Sequence, residues 1–248
     1  MDRAHIVRDG VDMISAEAFL SLANRIDLIS KHGVPRRILV TSTLPVEGKS
    51  IVASNLATAY TRLGRRTVLV DCDFRRPSQR TLHQIGGDSG LLRWARAGFH
   101  FDPGLLEAGH QVNTTALADG TFLIPAGASD PQPGRYLIAD GMARFFALLR
   151  QEFEIIIVDT PPAGVFQDAL ILARYCDDTI LVARDGRANL SQLTHIVHDF
   201  SKTASPAVGI VLNGFSARST HPQIGLRQLY RKYGYYAPAS RKVADATM

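Results

Sequence analysis

The chain has 248 residues, 46% of them apolar, which is enough for one substantial core at the upper edge of single-domain size. A formal net charge of +5 gives a basic surface that could attract nucleotide phosphates, acidic headgroups or nucleic acid without choosing among them. Cys72 and Cys176 are too few and too far apart for a disulfide framework or a zinc site. With a polar N-terminus and no run of about 18 apolar residues, this argues against a secreted or membrane-spanning chain and for a reduced, cytoplasmic setting.

Residues 1–14 have no clear period and read as an extended arm. From Ser15 to Ser30, the residues Phe19, Leu22, Ile26 and Ile29 recur at helical spacing and predict an amphipathic helix, ended by Gly33 and Pro35. Arg36–Thr41 is a short apolar run and predicts a buried strand; an Ala-rich helix then runs to about Leu63, before Gly64. Thr67–Asp71 predicts a second strand. Residues 74–120 read as irregular, with short helical stretches at Ser89–Ala97 and Pro103–Gly109. Further strands are predicted at Thr121–Pro125, Glu154–Asp159, Thr179–Ala183 and Ala207–Asn213, and helices at Ala139–Glu152, Ala169–Tyr175 and Leu190–Lys202. Continuous apolar strands alternating with helices predict an α/β fold: a doubly wound, mostly parallel sheet with helices on both faces. The organisation is an arm and helix over 1–35, a nucleotide-binding domain over 36–216 and a basic, tyrosine-rich tail over 217–248.

The first strand leads into Thr43-Leu44-Pro45-Val46-Glu47-Gly48-Lys49-Ser50-Ile51 and then a helix, the setting a phosphate-binding loop requires. Backbone N–H groups of such a loop and of the helix N-terminus point at phosphate oxygens. Lys49 adds charge, and Ser50 offers a hydroxyl to Mg²⁺. Thr43 stands where the usual first glycine would be. Two further strands end in acidic signatures, Asp71-Cys72-Asp73-Phe74-Arg75-Arg76-Pro77 and Asp159-Thr160-Pro161-Pro162. Ligands of open parallel sheets bind beyond the carboxyl ends of the strands, so all three signatures converge on one edge. Carboxylates there can position a hydrated Mg²⁺ or accept a proton from an attacking hydroxyl. His83, His100, His110, His195 and His198 form no ligand constellation, and Trp94 reads as packing.

From about Ala16 to Tyr236 the chain resembles the bacterial tyrosine kinases of capsule and exopolysaccharide synthesis, a branch of the ParA/MinD-like P-loop ATPases. The loop through Ser50 resembles their Walker A element, VLVDCDFRRP their Walker A′ and IIIVDTPP their Walker B. IPAGASDPQP and GIVLNGF match other segments of that family. ParA/MinD ATPases usually carry a second lysine early in the loop; its absence here favours the kinase branch. The resemblance implies ATP and Mg²⁺ as cofactors, with the loop residues Thr43, Pro45, Val46, Glu47, Gly48, Lys49, Ser50 and Ile51 at the nucleotide and Asn213 facing the adenine. It implies Ser50, Asp71 and Asp159 at the metal, Asp71 or Asp73 as the base toward tyrosine, and Arg75 steadying phosphoryl charge.

Four tyrosines lie within seven residues of the tail: Tyr230, Tyr233, Tyr235 and Tyr236. Following a nucleotide domain, they read as phosphoacceptors, although a stacking or partner-binding tail would have the same composition. The resemblance implies a homo-oligomer, a membrane activator of the chain-length-determinant (polysaccharide co-polymerase) type that recruits the chain to the inner face of the plasma membrane, a phosphatase that reverses the modification, and no nucleic-acid partner. One departure concerns the first helix, where the family carries E-x-x-R-x-x-R to dock neighbouring subunits into a ring. Here Leu20 and Ala23 replace both arginines after Glu17. The competing readings are a ParA/MinD-like positioning ATPase and a nucleotide-binding pseudokinase adaptor of a secretion system.

Overall fold

The computed structural model describes residues 13–33, 36–87, 90–99 and 114–214. Within them lie the strands β1 (Arg36–Ser42), β2 (Thr67–Asp71), β3 (Thr115–Ala116), β4 (Phe122–Ile124), β5 (Ile155–Asp159), β6 (Asp178–Arg184) and β7 (Ala207–Asn213). The helices are α1 (Met13–Ile29), α2 (Lys49–Arg62), α3 (Gln79–Leu82), α4 (Leu91–Arg96), α5 (Gly134–Leu137), α6 (Asp140–Glu152), α7 (Asp168–Leu172) and α8 (Leu190–Phe200), with a 3₁₀ turn over Ala173–Tyr175. The strands form one sheet in the order β3-β4-β2-β5-β1-β6-β7. Every pairing is parallel except β3 with β4.

Both faces of the sheet are buried, which is why the central strands read as unbroken apolar runs. Successive side chains point to opposite faces. Ile38, Val40, Leu69, Ile155, Ile157, Ile180 and Val182 pack with α1 and α2 on one side. Leu39, Val68, Val70, Ile156, Val158, Leu181 and Ala183 join α4–α8 on the other, where Phe145, Phe146 and Phe200 fill the layer. The same alternation carries Asp71 and Asp159 to the α2 side at the strand ends. They are register partners on adjacent strands, so the two carboxylates are neighbours before any side-chain choice is made.

Helix α1 begins near the predicted residue and docks on α2. Ala23 and Ile26 are fully buried there, and Leu20 packs against the same cluster. The Tyr60 hydroxyl donates to the Ala23 carbonyl at 3.3 Å and to Asp27 Oδ1 at 2.9 Å, and Arg36 pairs with Asp27 at 2.5 Å. The two positions where the resemblance expects arginine therefore face this chain's own core, which has no room for a guanidinium at position 23. Glu17, Asn24 and Arg25 are exposed.

The stretch read as irregular contains structure that sequence did not separate. Helix α3 is four residues long and β3 two, and α5 is likewise four; none is long enough to show a period. The predicted helix at Pro103–Gly109, His100, His110 and the four tail tyrosines lie outside the described residues. Among the described residues, no helix is long and apolar enough to cross a membrane. Cys72 and Cys176 are both free and buried, and burial pushes both thiols up.

Candidate active site

The phosphate loop connects β1 to α2. Its backbone is bent by two residues in the left-handed region, Val46 at φ 68° and Gly48 at φ 93°. Only glycine fits the second position: an added Cβ would lie 2.0 Å from Asn213 Nδ2. A β-branched residue at positive φ is a strained conformation of the kind that collects at ligand sites. Glu47 holds the bend from inside. It is 1% exposed; its Oε2 accepts from Thr43 Oγ1 at 2.7 Å and from the Leu44 N–H at 2.8 Å, and its Oε1 accepts from the Arg184 N–H at 3.4 Å. Asn213 Nδ2 donates to the Glu47 carbonyl at 2.9 Å. The residue assigned to adenine by resemblance thus braces the loop from the end of β7. Pro45 and Val46 sit exposed at its tip.

Gly48 caps α2, and the first intrahelical acceptance is Val52 N–H to Gly48 O. The N–H groups of Lys49, Ser50 and Ile51 are left over at the positive end of the helix dipole, as an anion site needs. The Walker B loop presses on the other flank. Ala163 N–H donates to the Ser42 carbonyl at 2.8 Å, and a Cβ on Gly164 would lie 2.3 Å from the Thr43 carbonyl oxygen.

Opposite the loop stand the carboxylates. Lys49 Nζ is 2.8 Å from Asp73 Oδ2 and 3.5 Å from Asp159 Oδ1, and donates to Ser50 Oγ at 3.0 Å. Asp71 is fully buried and takes backbone donors: the Asp73 N–H on Oδ1, and the Ser78 and Gln79 N–H groups on Oδ2, each at 3.1 Å. It thereby folds the Walker A′ turn around itself. Asp73 Oδ1 accepts from the Arg76 N–H at 2.9 Å. Gln79, which the sequence reading passed over, is fully buried; its Nε2 donates to Asp159 Oδ2 at 2.7 Å and to the Ser50 carbonyl at 2.9 Å. A neutral amide after Pro77 carries no spacing signal; only its place just beyond an acidic signature could have marked it.

Three buried or nearly buried carboxylates thus face one ammonium. Burial and the adjacent Asp159 push the Asp71 carboxyl up to about 8, against the Gln79 N–H and Lys49. Burial likewise raises Asp159, with Lys49 opposing. For Lys49, burial works against the ammonium, but Asp159, Asp73 and Asp71 outweigh it and raise its pKa. Surplus negative charge in a buried site is relieved by protons or by a cation. Asp159 Oδ1 and Gln79 Oε1 are buried without a hydrogen-bond partner. This donor set fits a divalent ion held on phosphate, with Ser50 as a direct ligand and the carboxylates reached through the ion's waters. No group of three or more His, Cys, Asp or Glu among the described residues forms a self-sufficient metal cluster.

Arg75 is placed differently from Lys49, Ser50, Asp71, Asp73 and Asp159. Its guanidinium is bidentate to Asp168, Nε to Oδ2 at 2.7 Å and Nη2 to Oδ1 at 3.1 Å, donates to the Pro131 carbonyl at 2.6 Å and stacks 4.2 Å from the Phe166 ring centre. It lines an open cleft with Asp130, Pro131, Gln132, Gly134 and Arg135.

A bent loop at a helix N-terminus, closed by a lysine and strand-end carboxylates, defines a P-loop nucleotide-binding domain. The sequence matches the CobQ/CobB/MinD/ParA nucleotide binding domain family over residues 38–246. It is 30% identical over 180 residues to the tyrosine-protein kinase CpsD of Streptococcus pneumoniae serotype 4, covering 71% of this chain and 74% of that protein. It is 25% identical over 207 residues to the putative tyrosine-protein kinase CapB of Staphylococcus aureus, covering 84% and 87%. Its match to the tyrosine-protein kinase Wzc of Salmonella typhimurium is 26% identical over 226 residues and covers 90% of this chain but 29% of that larger protein. The fold superposes on the kinase domain of the Escherichia coli tyrosine kinase ETK with a TM-score of 0.73, at 22% identity, over 83% of this chain and 78% of that one. The chain belongs to this nucleotide-binding family and, within it, to the bacterial tyrosine-protein kinases.

Proposed function

We propose that the chain is an ATP- and Mg²⁺-dependent protein-tyrosine kinase that phosphorylates its own Tyr230, Tyr233, Tyr235 and Tyr236, and so regulates polymerisation and export of a capsule or exopolysaccharide. The observation that carries the reading is Lys49 held 2.8 Å from Asp73 at the start of α2. That ion pair joins the phosphate-binding half of the site to the half that meets the acceptor.

When ATP binds, Lys49 turns to its phosphates and releases Asp73 Oδ2. Asp73 is then the base. Its remaining bond, from the Arg76 N–H, keeps the carboxylate aimed, whereas Asp71 is fully buried and already takes three backbone donors. An unperturbed phenol has a pKa of about 10, so proton removal needs such a partner. The phenol oxygen forms a bond to the γ-phosphorus as the bond to the bridging oxygen breaks. The proton passes to Asp73, and the electron pair leaves with ADP. The N–H groups of Lys49, Ser50 and Ile51 and the Lys49 ammonium stabilise charge on the transferring group. Mg²⁺ supplies neutralisation of the phosphates; Ser50, Asp71 and Asp159 would hold it.

Relatives named for capsule systems, such as a putative tyrosine-protein kinase in the cps region of Klebsiella pneumoniae, support the polysaccharide setting. The partner is a membrane protein of the chain-length-determinant type that recruits this cytoplasmic domain. Self-association runs through the exposed Glu17, Asn24 and Arg25 face of α1. Each added phosphate brings about −1.5 to −2 charges and loosens that assembly, and a phosphatase restores it.

Mass spectrometry of the chain incubated with Mg²⁺-ATP, with and without the membrane partner, tests the reading. Phosphate on the tail tyrosines that disappears in Lys49→Ala supports it. ATP hydrolysis with no tail phosphate moves the assignment to a positioning ATPase, and nucleotide binding alone to a pseudokinase adaptor.

A further inference from the structure

Gln79 is the first residue of α3 and contributes nothing to the apolar core, yet it is completely buried. Its amide orientation is fixed by its neighbours. Both groups within reach of Nε2, Asp159 Oδ2 and the Ser50 carbonyl, are acceptors, so the nitrogen must face them. The amide therefore ties the Walker A′ segment to the Walker B carboxylate and to the residue that follows Lys49. Two oxygens of this pair, both buried, accept no hydrogen bond: Gln79 Oε1, and Asp159 Oδ1, which faces only the Lys49 ammonium at 3.5 Å. A buried acceptor without a donor is costly, so the unanswered Gln79 Oε1, on the side chain that holds Asp159, points to donors that arrive with a ligand. The waters of a hydrated divalent ion are such donors; phosphate oxygens are not.

We propose that Gln79 is a positioning residue for the metal half of the site: its Nε2 fixes the Asp159 carboxylate, and its Oε1, with Asp159 Oδ1, receives the waters of a phosphate-bound divalent ion. The inference rests on the nucleotide reading above and deepens it. It gives the two Asp159 oxygens separate tasks: Oδ2 takes the Gln79 amide, while Oδ1 faces Lys49 and is open to the ion's waters. Partners of this kind behind a metal ligand change metal affinity by about 10–100-fold when removed.

The test compares the Kd of a fluorescent ADP analogue in Mg²⁺ and in EDTA for the wild type, Gln79→Met and Gln79→Ala. Methionine keeps the length and removes both polar atoms; alanine leaves room for water should methionine fail to fold. The tightening caused by Mg²⁺ is expected to fall by about tenfold or more in either variant, while the Kd in EDTA moves less than about twofold. A variant that loses affinity equally in Mg²⁺ and in EDTA would make Gln79 a structural strut and overturn the proposal, as would a variant with the full Mg²⁺ effect. Wild type that binds ADP with no Mg²⁺ effect would overturn the metal assignment itself, and wild type that binds no ADP would overturn the nucleotide reading; each is visible before any variant is made.

Discussion

The two walls of the site are built in opposite ways. On the phosphate-loop wall the buried Glu47 and Thr43 and the half-buried Asn213 are all answered: Glu47 is bonded at both oxygens, Thr43 at its hydroxyl, and Asn213 at its amide nitrogen. On the carboxylate wall, Gln79 Oε1 and Ser78 Oγ are buried and unanswered, Asp159 Oδ1 has only the Lys49 ammonium at 3.5 Å, and Asp71 and Asp159 are pushed away from their ordinary ionisation. The side chains of the first wall are satisfied without ligand and hold open only the backbone N–H groups at the start of α2, so its job is shape. The second is left in electrostatic debt, so its job is chemistry that a ligand completes. Lys49 belongs to the first by backbone and to the second by side chain.

The largest effect should follow from cutting that one link. Lys49→Met is expected to lower tail phosphorylation by at least about 100-fold, read by mass spectrometry, while circular dichroism stays that of the folded chain. Retained tail phosphate would erase the distinction between the walls, because charge would not need to cross between them.

Next comes the shaped wall. Gly48→Ala combines a positive φ, costing about 1–3 kcal/mol for a non-glycine residue, with a 2.0 Å clash against Asn213. ADP affinity should drop by about tenfold or more. Adding Asn213→Gly to Gly48→Ala should recover the steric part and leave the backbone part, a coupling that a double-mutant cycle measures. Equal affinities for the single and double variants would mean that the contact with Asn213 carries none of the loss.

The charged wall makes a pH prediction. A carboxyl near about 8 in the folded protein and about 3.9 in the unfolded chain binds more protons when folded across that window. Stability of the ligand-free protein should therefore fall as pH rises between those values, opposite to an ordinary ion-paired aspartate. Melting temperatures in EDTA from pH 5.5 to 8 should decline for wild type and flatten in Asp71→Asn, and Mg²⁺-ADP should offset the decline. A wild-type melting temperature that climbs with pH would place the debt elsewhere.

Much of this contrast was legible in sequence, and unevenly. The strands β1, β2, β5 and β6 were readable because runs such as Ile155–Asp159 are buried on both faces and cannot be mistaken for a half-exposed pattern; the edge strand β7, with Ile210 and Leu212 exposed, was readable from its apolar run alone. The strand-end aspartates and the loop were readable because charge at a fixed place after an apolar run has few other uses. The bracing was not. Glu47 could be named as a loop residue, but its burial beneath the loop depends on a bend at Val46 and Gly48 that spacing does not reveal. Gln79 had no signal because α3 is too short to show a face and the side chain is neutral. Asn213 was assigned to a base by resemblance, and the geometry that ties it to the Glu47 carbonyl needs β7 beside β6, a contact across 166 residues.

Arg75 offers the smallest and most discriminating test, because it stands at the border between the walls. If it neutralises phosphoryl charge it must leave Asp168, Pro131 and Phe166; if it stays, its role is to hold the cleft wall beside Asp73. The bidentate, partly buried pair with Asp168 and the aromatic stack favour staying, since such geometry is stronger than a single exposed contact. Asp168→Asn loosens the guanidinium without removing it, so a holding role predicts a rise in KM for a tail-derived tyrosine peptide, by less than about tenfold, with kcat nearly unchanged. A fall in kcat with KM unchanged would instead put Arg75 in contact with the transferring phosphoryl group, and Arg75→Lys, which keeps charge but not the fork, should then retain more activity than Arg75→Gln.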